Sequence, residues 1–155
     1  MLGCYPTGVC VITSVSPDGE RWGLAVGTFT SISLDPPLVG FLPDKRSSSW
    51  AQIEQTGRFC VNILADAQMD DCQRFATRGA DKFEGVSHGH SPGGLPLLDD
   101  VLAWIECDIA QVIELGDHLM VVGAVTAMDK ARDGQPLLFH RGGYHTLDRL
   151  DKESV

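Results

Sequence analysis

Ile105-Glu106-Cys107-Asp108-Ile109-Ala110-Gln111-Val112-Ile113-Glu114-Leu115-Gly116-Asp117-His118-Leu119-Met120-Val121-Val122-Gly123-Ala124-Val125-Thr126-Ala127-Met128 decides the fold. Ile105, Cys107, Ile109 and Ile113 alternate with Glu106, Asp108, Ala110, Val112 and Glu114, the period of a half-buried strand. Gly116-Asp117 supplies a turn, and His118 to Met128 returns as an equally apolar strand, so the segment predicts a long β-hairpin.

The same signals recur on either side. Val9 to Val15 is β-rich and ends at Pro17-Asp18-Gly19, after which Trp22 to Thr30 resumes as a hairpin partner. Leu38 to Leu42 and Arg58 to Leu64 read as further strands, and Leu137 to His140 with Tyr144 to Leu147 as a last pair around Arg141-Gly142-Gly143. Ser47 to Gln55 predicts a brief helix stopped at Thr56-Gly57. A second helix is expected from Ala67 to about Arg78, with Asp66 as its cap and Gly79 past its end. Gly79 to Asp100, rich in Gly, Pro and His, predicts an irregular loop long enough for a functional or interface role. Many hairpins and two or three short helices make a mainly β, antiparallel barrel. No G-x-G-x-x-G follows the first strand, which argues against a doubly wound nucleotide fold.

At 155 residues the chain is expected to form one domain over 1–155. Its net charge is −9 and no basic stripe runs along any segment, which argues against nucleic acid or an anionic membrane surface as a partner. The five cysteines, Cys4, Cys10, Cys60, Cys72 and Cys107, form no C-x-x-C pair and read as small buried hydrophobes in a reducing compartment. No stretch is long and apolar enough to span a bilayer, and the start lacks the pattern of a secretory leader, so a cytoplasmic location is expected.

An anionic ligand would therefore need a local positive spot. Asp44-Lys45-Arg46-Ser47-Ser48-Ser49 offers one: if Ser47 caps the short helix, free N–H groups, hydroxyls and the Arg46 fork converge where a phosphate fits. The alternative is a plain surface cap. The hydroxyl-rich run Thr28-Phe29-Thr30-Ser31-Ile32-Ser33 precedes it, and its short side chains leave the strand backbone approachable. His88-Gly89-His90 lacks a third ligand at fitting spacing, so no metal site is expected. A serine hydrolase is disfavoured because no G-x-S-x-G elbow is present.

The order Pro6-Thr7-Gly8-Val9, Thr28-Phe29-Thr30-Ser31-Ile32-Ser33-Leu34-Asp35-Pro36-Pro37-Leu38, Arg46-Ser47-Ser48-Ser49-Trp50, Asp81-Lys82-Phe83, Gly116-Asp117-His118 and Phe139-His140-Arg141-Gly142-Gly143-Tyr144 resembles the flavin reductase-like family over nearly the whole chain. These are small reductase components that supply reduced flavin to two-component monooxygenases. The resemblance implies a split β-barrel and a homodimer that binds FMN or FAD near the subunit interface and takes hydride from NADH or NADPH. Thr28, Phe29, Thr30, Ser31 and Ser33 would then lie along the ring, and Asp44, Lys45, Arg46, Ser47, Ser48 and Ser49 would hold the ribityl phosphate. Lys82 and Phe83 would sit on the flavin's far side. His118, beside Asp117, resembles the histidine that lies by the nicotinamide, and His140, Arg141, Gly142 and Tyr144 resemble part of the dinucleotide site. Two related readings stay open: a flavin carrier without turnover, and an oxidoreductase that keeps its flavin and reduces another small acceptor.

Overall fold

The computed structural model describes residues 1–79 and 81–149. In chain order its elements are β1 (Thr7–Gly8), β2 (Cys10–Val15), β3 (Arg21–Val26), β4 (Thr30–Leu34), β5 (Pro37–Phe41), α1 (Ser48–Thr56), β6 (Arg58–Ile63), α2 (Met69–Ala76), β7 (His88–His90), β8 (Pro96–Leu98), β9 (Ala103–Leu115), β10 (His118–Lys130), β11 (Leu138–His140) and β12 (Gly143–His145). Seven strands form one sheet in the order β3-β2-β6-β9-β10-β5-β4, and every pairing is antiparallel. The long hairpin is its centre, turned at Gly116-Asp117 with Leu115 opposite His118. Gly116 has φ +64°, the first central position of a primed hairpin turn.

The sheet has to curl. A flat array of seven strands would be roughly 29 Å wide at ordinary spacing, yet its two edges, β3 and β4, are joined only by Gly27, Thr28 and Phe29, which reach about 14 Å when extended. The two edges therefore approach each other without pairing, and the barrel is split there. Thr28 ties the seam: its Oγ1 accepts from Leu42 N at 2.9 Å. The sequence reading ran Trp22 to Thr30 as one strand, whereas the chain leaves one edge at Val26 and starts the other at Thr30.

Leu24, Val26, Val39, Phe41, Phe59, Val61 and Val121 fill the barrel interior. α1 closes one end by inserting Trp50 and Ile53, with Trp50 edge-on to Phe41 at 5.6 Å between centroids. A second core lies outside the barrel, where Cys72 and Phe75 of α2 meet Val11, Phe83, Leu98 and Val101. Cys10, Cys60, Cys72 and Cys107 are buried and free, and burial pushes the thiols of Cys10, Cys60 and Cys107 up to about 12.

The segment expected to be irregular carries the β7–β8 hairpin. Buried side chains from the barrel pin it: Asn62 Oδ1 accepts from Leu98 N at 2.9 Å, Thr13 Oγ1 donates to Pro96 O at 2.5 Å, and Glu106 Oε1 accepts from Gly93 N at 2.9 Å. The second helix is shorter than predicted, a 3-10 turn at Asp66–Gln68 followed by α2. Gln68, not Asp66, closes its start, accepting from Ala65 N at 3.1 Å and donating to Asp99 O at 2.8 Å.

Gly23 marks where α2 presses on the sheet. A Cβ there would stand 2.5 Å from the ring of Phe75, itself 1% exposed and stacked edge-on against Phe83. Gly23→Ala is expected to cost about 1–3 kcal/mol, a fall in Tm of roughly 3–10 °C in a thermal scan. Gly8→Ala, with nothing within 4 Å, is the control and should leave Tm unchanged.

Candidate functional site

Curling the sheet leaves a groove beside the split. One chamber of about 540 Å³ is lined by Val26, Thr28, Asp44, Ser47, Phe75 and Lys82, among others. Its floor is the outer edge of β3. One wall is the start of α1, and the other is the end of α2 with the turn that follows it.

Ser47 is the N-cap of α1, its Oγ accepting from Trp50 N at 3.2 Å. The amide N–H groups of Ser48 and Ser49 belong to the first helical turn and have no acceptor within the helix. They lie at the positive end of the helix dipole. Opposite them Lys82 reaches in, its Nζ donating to Gly23 O at 3.2 Å, Phe75 O at 3.1 Å and Ser49 Oγ at 3.1 Å. No carboxylate of the described residues lies within 4 Å of this ammonium. Partial burial pulls its pKa below the ordinary lysine value. A half-buried cation held by neutral oxygens next to free N–H groups is a set of donors that an anion satisfies.

Asp44, Arg46, Asp117 and His118 form the lip. The β9–β10 turn is stitched to the segment before α1 by Lys45 N donating to Asp117 O at 3.1 Å and Leu119 N to Pro43 O at 3.0 Å. Arg46 forks onto Asp44 through Nε–Oδ1 at 3.2 Å and Nη2–Oδ2 at 2.8 Å, which holds the Asp44 carboxyl well below the usual range. His118 Nδ1 lies 2.8 Å from Asp117 Oδ1, and the pairing lowers the Asp117 pKa. An ionised carboxylate only accepts, so Nδ1 carries the proton of this bond and Nε2 is left for a ligand.

The predicted residues do not all converge. Thr28, Asp44, Arg46, Ser47, Ser48, Ser49 and Lys82 line the chamber, with Asp117 and His118 beside it. Phe29 is half-buried against the barrel core. Thr30, Ser31 and Ser33 run along the exposed sheet edge. Lys45 turns away to Glu114, 3.2 Å distant. Phe83 lies under the groove, 3% exposed, rather than on its wall. His140, Arg141, Gly142 and Tyr144 form a separate hairpin paired through β11 with β1, and Tyr144 Oη lies 3.4 Å from Cys72 Sγ. Among the described residues none of these four lines the groove. Sequence reading passed over Gly23 and Gly79 as groove residues; an isolated glycine inside a strand was the available signal for Gly23.

A split antiparallel barrel with an anion-ready groove at its seam defines a class, and comparison with known proteins narrows it. The flavin reductase like domain model matches residues 2–148. A flavin reductase from Pseudomonas putida is 51% identical over 144 residues, covering 93% of this chain and 85% of that protein. A flavin-dependent monooxygenase reductase subunit from Rhodococcus jostii is 46% identical, covering 96% of this chain and 75% of that subunit. The crystal structure of nitrilotriacetate monooxygenase component B from Mycobacterium thermoresistibile superposes with a TM-score of 0.90 at 41% identity, covering 98% of this chain and 89% of that one. The chain belongs to the flavin reductase-like family of oxidoreductases.

Proposed function

We propose that this chain binds FMN or FAD in the groove at the split and reduces it with NADH or NADPH, passing the reduced flavin to a partner monooxygenase. The half-buried ammonium of Lys82, without a carboxylate partner among the described residues and facing the free N–H groups of Ser48 and Ser49, carries this reading. Bound flavin supplies the two-electron acceptor, and the nicotinamide supplies the hydride.

The chain's own part is placement. Lys82, Ser48 and Ser49 hold the phosphate end, and the β3 floor at Ala25, with Gly27 just past the strand's end, accepts the flat ring. His118, its ring oriented by Asp117, presents Nε2 at the lip to orient the nicotinamide and to hold a proton there. Exposed apolar side chains, Leu2, Tyr5, Leu34 and Leu115 among them, favour a homodimer. A second copy would then complete a groove that the β11–β12 hairpin of the same chain does not line. NADH oxidation with and without added flavin tests the reading, since a carrier would bind flavin without turnover.

Asp44 makes Arg46 a guarded contact, because a phosphate has to compete with a carboxylate already in the fork. Asp44→Asn keeps the Oδ1 acceptor for Arg46 N and removes the charge. It should tighten FMN binding by about two- to fivefold and leave riboflavin unchanged in a fluorescence titration. Arg46→Ala should weaken FMN alone.

A further inference from the structure

Arg21 opens β3 in a chain of net charge −9, yet among the described residues no carboxylate lies within 4 Å of its guanidinium. It engages an imidazole and an aromatic ring instead. Its Nη1 is 2.7 Å from His88 Nε2, and its guanidinium carbon stands 5.2 Å from the centroid of Phe83. His88 Nδ1 lies 2.8 Å from Val86 O, and its ring meets Phe83 edge-on at 5.1 Å between centroids. A carbonyl only accepts and a guanidinium only donates, so the two contacts fix the tautomer: Nδ1 carries the proton and Nε2 accepts from Arg21. A neutral imidazole with both nitrogens satisfied thus ties the start of β7 to the start of β3.

This tie lies directly behind Lys82. Between the two the chain forms a compact turn, with Val86 N donating to Phe83 O at 3.0 Å, Glu84 N to Asp81 O at 3.3 Å and Phe83 N to Asp81 Oδ1 at 2.9 Å. Phe83 and Val86 are buried, and Phe83 packs edge-on against Phe75 at 5.0 Å. Arg21 and Gly23 stand two residues apart on β3 and share its outer face. One end of the turn is therefore held to α2 by the two rings, and the other to β3 through Arg21. Lys82 is set between them.

We propose that His88, held by Arg21, is a positioning residue for Lys82, fixing where the ammonium meets the flavin phosphate; this rests on the reading of the groove as the flavin site. The lysine stem rotates freely about four carbons, so its Nζ finds Gly23 O, Phe75 O and Ser49 Oγ together only if the backbone at Lys82 is fixed. Those three oxygens belong to β3, α2 and α1. Without the tie the turn is free to move off β3, and phosphate binding then has to include the cost of ordering it.

The test is a set of fluorescence titrations with FMN and with riboflavin, which lacks the phosphate. His88→Phe keeps a ring against Phe83 and removes the acceptor, whereas His88→Gln returns an amide oxygen to the reach of Arg21. His88→Phe should weaken FMN binding about three- to tenfold and leave riboflavin within about twofold of native, and His88→Gln should bring FMN back to within about twofold. In the Lys82→Met background His88→Phe should have no further effect on FMN, because the group it positions is gone. Arg21→Met, which keeps the stem and removes the fork, should reproduce His88→Phe and decides the matter if the phenylalanine variant does not fold. FMN binding left native by both His88→Phe and Arg21→Met overturns the proposal. So do equal losses for FMN and riboflavin without rescue by glutamine, the pattern of a merely structural residue, or an undiminished effect of His88→Phe on top of Lys82→Met. A Lys82→Met protein that binds FMN like the native one refutes the reading of the groove instead, and the positioning role with it.

Discussion

Lys82→Met is expected to weaken FMN and FAD binding by about ten- to a hundredfold, the worth of one charge-assisted contact of roughly 1.5–3 kcal/mol. Methionine keeps most of the length and the apolar stem, so the loss isolates the ammonium. Gly23 O, Phe75 O and Ser49 Oγ hold that ammonium in the groove, and each loses only a neutral–cation bond in the variant. Riboflavin, which lacks the phosphate, should be nearly indifferent. The same group sets a pH dependence. Anion binding needs the protonated amine, and burial lowers the Lys82 pKa, so affinity for FMN should fall with rising pH and do so below the pH at which an exposed lysine, near about 10.4, loses its proton. An FMN affinity that holds constant through that range, or a variant that binds FMN like the native protein, would remove Lys82 from the site.

His118→Ala is expected to slow flavin reduction by NADH by about ten- to a hundredfold while changing the flavin dissociation constant by less than about threefold. The separation follows from position. His118 stands at the lip, bridged to Asp44 through the backbone, whereas the phosphate donors lie deeper at the start of α1. Asp117→Asn should show a weaker form of the same defect, because the amide can present its nitrogen and let Nδ1 and Nε2 exchange roles. Single-turnover mixing of the flavin-loaded protein with NADH reads the rate, and a fluorescence titration reads the affinity. Equal losses in both would make His118 a structural residue of the hairpin.

Much of this architecture is legible in the chain. The period-two run before Gly116, the turn residues and the Ser47 cap are local signals, and β9, β10 and α1 obey them. What the sequence conceals depends on partners distant along the chain. The β7–β8 hairpin exists because Asn62, Thr13 and Glu106 reach into it, and no pattern within 79–100 announces those bonds. The break at Gly27 is likewise set by closure of the barrel. At the site, residues adjacent in sequence part company: Lys45 leaves for Glu114 while Arg46 stays, and Phe83 goes into the core while Lys82 enters the groove. Strand and helix ends point successive side chains to different faces, so a run of candidates splits by position and not by residue type.

The most direct measurement is the rate of NADH oxidation by the purified protein as flavin is added, run beside Lys82→Met. A flavin reduced in this groove gives saturable stimulation in the native protein and a half-saturating concentration shifted upward by about ten- to a hundredfold in the variant. No stimulation by FMN or FAD, or stimulation that Lys82→Met leaves untouched, would contradict the account.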